Sequence, residues 1–118
     1  MKSKEHELQV ACVKWFRLQY PEYAKLLFAV PNGGNRNIAT ASRLKAEGVV
    51  SGVSDLILLL SRNGYNSLCI EMKYGKQQLS NNQLHWGSLV IKYGTAYIVC
   101  RSLEGFQNEI NKYLNTTK

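Results

Sequence analysis

A chain of 118 residues, 45% hydrophobic and 19% charged, has the composition of one globular domain with its own core, residues 1–118, rather than of a disordered segment. With 15 Lys and Arg against 8 Asp and Glu it carries a net charge of +7, which points to a polyanionic partner. The longest aliphatic run, Leu56 to Leu60, is too short to span a membrane, the N-terminal residues lack a signal peptide's apolar stretch, and 3 widely spaced cysteines form no CxxC pair. A zinc knuckle and a disulfide framework are therefore excluded, and the thiols read as reduced in a cytoplasm.

In chain order, the first predicted element is a helix from Lys4 to Tyr20. Leu8, Cys12, Phe16 and Gln19 recur at helical spacing, and Pro21 stops it. Leu26 to Val30 is a short apolar strand, and Pro31-Asn32-Gly33-Gly34-Asn35 is a turn or open loop. Ile38 to Glu47 is helical, with Gly48 as its C-terminal stop. Ser54 to Ser61 and Tyr65 to Tyr74 are strands joined at Arg62-Asn63-Gly64. Ser80 to Tyr93 is a helix, Thr95 to Arg101 a strand, and Leu103 to Leu114 a closing helix. This order predicts an α/β fold, a central sheet flanked by helices, and the hairpin makes that sheet mixed.

Several standard sites are absent, among them GxxxxGK[ST], GxGxxG, HExxH and GxSxG, and only 2 histidines occur. What remains is a carboxylate constellation. Asp55, the only aspartate, starts one strand, and Glu71-Met72-Lys73 lies near the end of the next. Glu71 and Lys73 are two apart and share a strand face. Two carboxylates meeting across a hairpin make a hard-oxygen site for Mg²⁺ or Mn²⁺, which would polarise a scissile phosphate. Lys73 would stabilise charge on that phosphate or orient the attacking water. A strand-end Asp and a Glu/Lys pair also occur on ordinary sheets, but here the strands before them are apolar on both faces, as in a covered sheet.

The register decides whether these groups can meet. A regular two-residue turn at Asn63-Gly64 sets Asp55 opposite Met72 and sends Glu71 to the other face. A three-residue loop, or an equivalent bulge, sets Asp55 opposite Glu71 with Lys73 on the same side. The chemistry requires the second arrangement.

Four further features have two readings each. Glu5 falls on the apolar face of the first helix while Glu7 points away, so Glu5 either looks toward the sheet or simply favours the helix dipole. Ser80 and Gln83 form a capping box, or Gln83 leans into the site. Asn32, Gly33 and Gly34, with Arg36 beside them, form an ordinary turn or offer backbone N–H groups to a phosphate. Arg43, Lys45 and Lys76 complete the candidate DNA-binding set, or are solvated surface charges.

Taken together, Glu5-x-x-x-Gln9, Pro31-Asn32-Gly33-Gly34, Leu44-Lys45-Ala46-Glu47-Gly48, Gly52-Val53-Ser54-Asp55, Ile70-Glu71-Met72-Lys73 and Leu79-Ser80-x-x-Gln83 stand in the order seen in VRR-NUC domains. The chain resembles these small PD-(D/E)XK nucleases over nearly its whole length, departing at Ser54, where the family often has Pro. The resemblance implies a PD-(D/E)XK core and metal-dependent phosphodiester hydrolysis. It implies that Asp55, Glu71 and the Met72 carbonyl bind the metal, that Lys73 assists, and that Glu5 and Gln83 are accessory, with Glu5 a further acid toward the metal. It also implies a homodimer that cuts branched DNA such as Holliday junctions, as in stand-alone phage and prophage domains. The alternatives are a catalytically silent DNA-binding module of the same fold and a restriction-type nuclease, for which no base-reading element is evident.

Overall fold

The computed structural model describes residues 3–31 and 37–115. The elements follow the order α1 (Lys4–Gln19), β1 (Leu27–Ala29), α2 (Ile38–Ala46), β2 (Leu56–Leu58), β3 (Leu68–Met72), α3 (Asn81–Lys92), β4 (Ala96–Cys100) and α4 (Leu103–Asn115). A 3₁₀ turn, Pro21–Leu26, which the sequence reading lacked, joins α1 to β1 and shortens that strand at its start.

Local chemistry sets the helix ends. Ser3 caps α1, its hydroxyl accepting from the His6 N–H at 3.0 Å. At the other end the Tyr20 N–H reaches the Phe16 carbonyl, and Pro21 follows. Asn37 caps α2 through the Thr40 N–H at 2.7 Å. Ser80 and Gln83 close a full capping box on α3.

The four strands lie in the order β1-β2-β3-β4. The first two pairings are antiparallel, and β3 pairs with β4 in parallel through the α3 crossover. The sheet is therefore mixed, and β2 and β3 are its interior strands. Register sorts the side chains onto two faces. Leu27, Leu56, Leu58, Leu68, Ile70, Met72 and Cys100 share one face. They pack with Cys12 and Phe16 of α1 and Phe106 and Ile110 of α4 into one buried cluster. The other face carries Phe28, Ile57, Cys69, Glu71, Tyr97 and Val99. There α3 crosses β4 at Gly87, where an added Cβ would sit 3.1 Å from the Tyr97 ring. All three cysteines are buried and unpaired.

The predicted strand Ser54 to Ser61 is cut to three residues, Leu56–Leu58. Leu59, read as covered, is 56% exposed. The cause is a kink that also fixes the site.

Candidate active site

The hairpin between β2 and β3 resolves the register question with both devices at once. Asn63 and Gly64 have φ of 57° and 85°, the two left-handed residues of a type I′ turn. Arg62 and Tyr65 close it with backbone bonds of 3.1 and 2.8 Å. So the tip is the regular two-residue turn, not the three-residue loop. Below it, the first strand has one residue more than the second between that bridge and the Leu58↔Leu68 pair. The surplus is taken up over Leu59–Ser61. The Leu60 N–H turns back to the Leu58 carbonyl at 3.0 Å, and the Leu59 N–H reaches the Leu26 carbonyl at 3.0 Å. This bulge shifts the pairing by one, giving Leu56↔Ile70. Continued one step, that register sets Asp55 opposite Glu71.

Asp55 is held at both ends. Its carbonyl accepts from the Val30 N–H at 2.9 Å, and its carboxylate accepts from the Met72 N–H at 2.8 Å. Ser54 is fully buried and donates to the Leu56 carbonyl at 3.0 Å. That bond braces the turn into Asp55 where a proline ring would otherwise stiffen it.

Glu71 is 1% exposed and Lys73 6%. The Glu71 Oε2 atom accepts from Gln83 Nε2 at 2.9 Å, while Lys73 Nζ stands 3.9 Å away, too far for a hydrogen bond. Its second oxygen, Oε1, is buried without a hydrogen-bond partner. Burial pushes the Glu71 carboxyl up to about 8, and the Asp55 charge adds to the push against the partial opposition of Lys73. A buried carboxyl with an orphan oxygen beside a second carboxylate is an electrostatic liability that a cation would remove.

Gln83 caps the helix and also turns toward the carboxylate pair. Its Oε1 accepts from the Ser80 N–H at 2.8 Å as the cap, and its Nε2 serves Glu71. The two ends of one amide do different work, so the capping and site readings do not compete. Glu5 is half-buried while Glu7 is exposed. Burial raises the Glu5 carboxyl, with Asp55 adding to the rise and Lys73 lowering it, so Glu5 lies within electrostatic reach of both. Even so, no three His, Cys, Asp or Glu side chains among the described residues converge as a metal cluster. The close set is the pair Asp55 and Glu71, with Glu5 further out.

Sequence reasoning missed Tyr97. It pairs with Cys69, which puts it on the Glu71 face, and its hydroxyl is buried without a partner. Burial first, then the charges of Glu71, Cys69 and Asp55, raise its pKa. Trp86 meets its ring edge-on at 6.3 Å. A tyrosine in an apolar strand carries no site signal; only the parallel register with β3 assigns it there.

The basic candidates are spread around this centre. Arg43 pairs with Glu47 at 3.3 Å on exposed α2, and Lys45 is exposed on the same helix. Lys76 is exposed on the loop after β3. Arg101 fastens that loop by donating to the Gly75 and Gln77 carbonyls at 2.9 and 2.7 Å. Asn32, Gly33, Gly34 and Arg36 lie outside the described residues. Among the described residues, no helix is long and apolar enough to cross a membrane.

The fold has a counterpart among solved structures. A solved structure titled "VRR_NUC domain protein" superposes with a TM-score of 0.84 at 23% identity, covering 98% of this chain and 91% of its own. No curated protein matches the chain. The family model of the VRR-NUC domain matches residues 3–104. With most of its length inside that model, and a mixed sheet presenting Asp55, Glu71 and Lys73 on one face, the chain belongs to the VRR-NUC family of nuclease-type, DNA-binding domains.

Proposed function

We propose that this VRR-NUC domain is a Mg²⁺- or Mn²⁺-dependent endonuclease that hydrolyses phosphodiester bonds in branched, Holliday-junction-like DNA and acts as a homodimer. The observation that carries the metal reading is the buried Glu71, with its orphan Oε1, set beside the half-buried Asp55 carboxylate. The donor set fits a hard divalent cation, since it offers carboxylate oxygens and no thiolate or imidazole. Asp55, Glu71 and the Met72 carbonyl would hold the ion, with Glu5 as an outer acid. When bound, such an ion polarises a phosphoryl oxygen and lowers the pKa of water.

The chain's own residues do the rest. Met72 N–H and Val30 N–H fix the Asp55 carboxylate and backbone, so that it meets the ion without reorganising. Gln83 restrains Glu71 Oε2 and leaves Oε1 free to ligate. The Lys73 ammonium, two residues along the same face, places positive charge where a phosphate accumulates negative charge, or orients the attacking water. Each chain supplies one such site, so paired cuts in a junction require two copies. Three buried, unpaired thiols suit a reducing cytoplasm, in a bacterial or phage-infected cell.

The test is nicking of supercoiled plasmid with Mg²⁺, Mn²⁺ or EDTA, followed by a panel of junction, flap, splayed and linear DNAs. Metal-dependent nicking is expected in the wild type and abolished in Asp55→Ala and Glu71→Ala. A junction-binding protein that never cleaves would instead be the silent module. Equal cleavage of every substrate would remove the branched-DNA preference.

A further inference from the structure

We propose that the groove between the outer face of α1 and the edge strand β1 holds the sugar–phosphate backbone of one DNA strand beside the active site. The inference rests on the nuclease reading above and names where its substrate lies.

The groove has a volume of about 710 Å³ and is open to solvent along α1. Glu5 and Ala29 both line it, and Ala29 precedes Val30, whose N–H holds the Asp55 carbonyl at 2.9 Å, so the groove opens beside the catalytic centre. From there its wall follows one stripe of the helix. His6, Val10, Val13 and Arg17 recur at the spacing of a single helical face, and Lys14 and Leu18 flank them. Ala29 of β1 contributes to the opposite side. Val13 is half-buried and also packs against the core that Cys12 and Phe16 enter, so the exposed part of the wall is His6, Val10, Lys14, Arg17 and Leu18.

The chemistry of the stripe alternates cation and aliphatic. Val10 is 52% and Leu18 76% exposed, and they stand one turn before and one turn after Lys14 on the outer side of the helix. Among the described residues, neither Lys14 nor Arg17 has an ion pair or a side-chain hydrogen bond. His6 to Arg17 spans eleven residue steps, about 16 Å of helix, which matches the rise of roughly five nucleotides in one B-form strand. A phosphate backbone satisfies both components. Its charges meet Lys14 and Arg17, and its deoxyribose faces cover Val10 and Leu18.

Charge selects this occupant over a second copy of the chain. Lys14 and Arg17 suit a polyanion, whereas a second copy docked on this face by two-fold symmetry would set the same cations against one another. The lining also says how the strand is read. Among the described residues no Phe, Tyr or Trp lines the groove, so bases have no broad stacking platform there, and the contact is to backbone and is independent of sequence.

The test is binding of a labelled four-way DNA junction and a labelled linear duplex by the full chain in Ca²⁺, at several salt concentrations. The protein carries Asp55→Asn to prevent cleavage, with and without Lys14→Glu/Arg17→Glu. Both lysine and arginine are on the surface, and circular dichroism checks the fold; Lys14→Gln/Arg17→Gln serves if reversal unfolds the chain. The expected result is an affinity at least tenfold weaker, with the slope of log affinity against log salt reduced by about two. Unchanged affinity and slope overturn the groove while leaving wild-type, metal-dependent cleavage, and hence the nuclease reading, intact. A shift from dimer to monomer in sedimentation, with DNA affinity kept, also overturns it in favour of a contact between copies. Absence of both binding and cleavage in the wild type overturns the two readings together.

Discussion

Glu71 concentrates the physical tension of this site in one carboxyl. Its ordinary value of 4.5 describes the unfolded chain, and the fold raises it to about 8. Between those values the unfolded carboxyl is ionised while the folded one keeps its proton. Its contribution to stability is therefore fullest below pH 4.5 and is lost as pH rises through about 8. In EDTA, the melting temperature of the wild type should fall over that window. Glu71→Gln, which cannot ionise, should lose this part of the slope and be the more stable protein at pH 8.5. Mn²⁺ should reverse the order, because it takes the proton's place; its stabilisation of the wild type should grow from pH 6 to pH 8.5 and be absent in the Gln variant. A wild type and Glu71→Gln with parallel pH profiles in EDTA would show that Glu71 is not the strained group. For turnover, Lys73→Ala should lower the rate roughly 100- to 1,000-fold, with Mn²⁺ binding by calorimetry retained. Glu5→Ala should reduce cleavage and Glu7→Ala should not, since only Glu5 is half-buried toward Asp55.

At the scale of elements, the N-terminus of α3 links stability to the site through one side chain. Ser80→Ala removes the hydroxyl that accepts the Gln83 N–H, and should cost about 1 kcal/mol in urea unfolding. Gln83→Ala should cost a comparable amount from the cap, and in addition it strips Glu71 of the hydrogen bond from Gln83 Nε2. Cleavage should therefore suffer more in Gln83→Ala than in Ser80→Ala. If the two variants lose activity equally, Gln83 acts only as a cap. The loop before β2 docks onto the same helix. Gly52 has φ of 88°, and a Cβ there would lie 2.5 Å from the Asn82 carbonyl oxygen. Gly52→Ala should thus destabilise by roughly 1–3 kcal/mol, through strain and a backbone clash that cannot relax cheaply. The capping box was legible in the sequence because it is local: four consecutive residues hold all of it. The 3₁₀ turn Pro21–Leu26 and the bulge over Leu59–Ser61 were not, because each depends on contacts between separate segments, such as the bond from Leu59 to Leu26.

Over the whole molecule, the charge excess and the two-faced sheet belong to one design. The face under α1 and α4 is wholly apolar, so the fold does not depend on the charged groups of the other face. That face can then carry a buried carboxyl beside a second, half-buried one. DNA affinity should fall steeply with salt, because a chain at +7 gains much of its binding from released counterions. Charge reversal at Arg43, Lys45 and Lys76 together should flatten that dependence in a filter-binding titration. Arg43 should contribute least, since Glu47 already opposes it. No change on reversing all three would mark them as solubility charges.

By itself the sequence determined the classes of element, their order, the helix ends and the pairing of Asp55 with Glu71 as the groups to watch. These follow from local periodicity, capping and turn chemistry, which act over a few residues. It also stated the condition under which the pair could meet, a one-residue shift in the hairpin. Only the tertiary structure decided how that shift is made. A type I′ turn at Asn63-Gly64 is the favoured local solution, and it sets the wrong register for the site. The packing of Leu56, Leu58, Leu68 and Ile70 into the core holds the other register, and the bulge absorbs the mismatch between them. Tyr97 and the basic stripe on α1 were decided in the same way. Strand pairing gives the tyrosine its face, and the neighbouring edge strand turns an exposed helix surface into a groove. Neither relation exists until residues far apart in the chain are brought together.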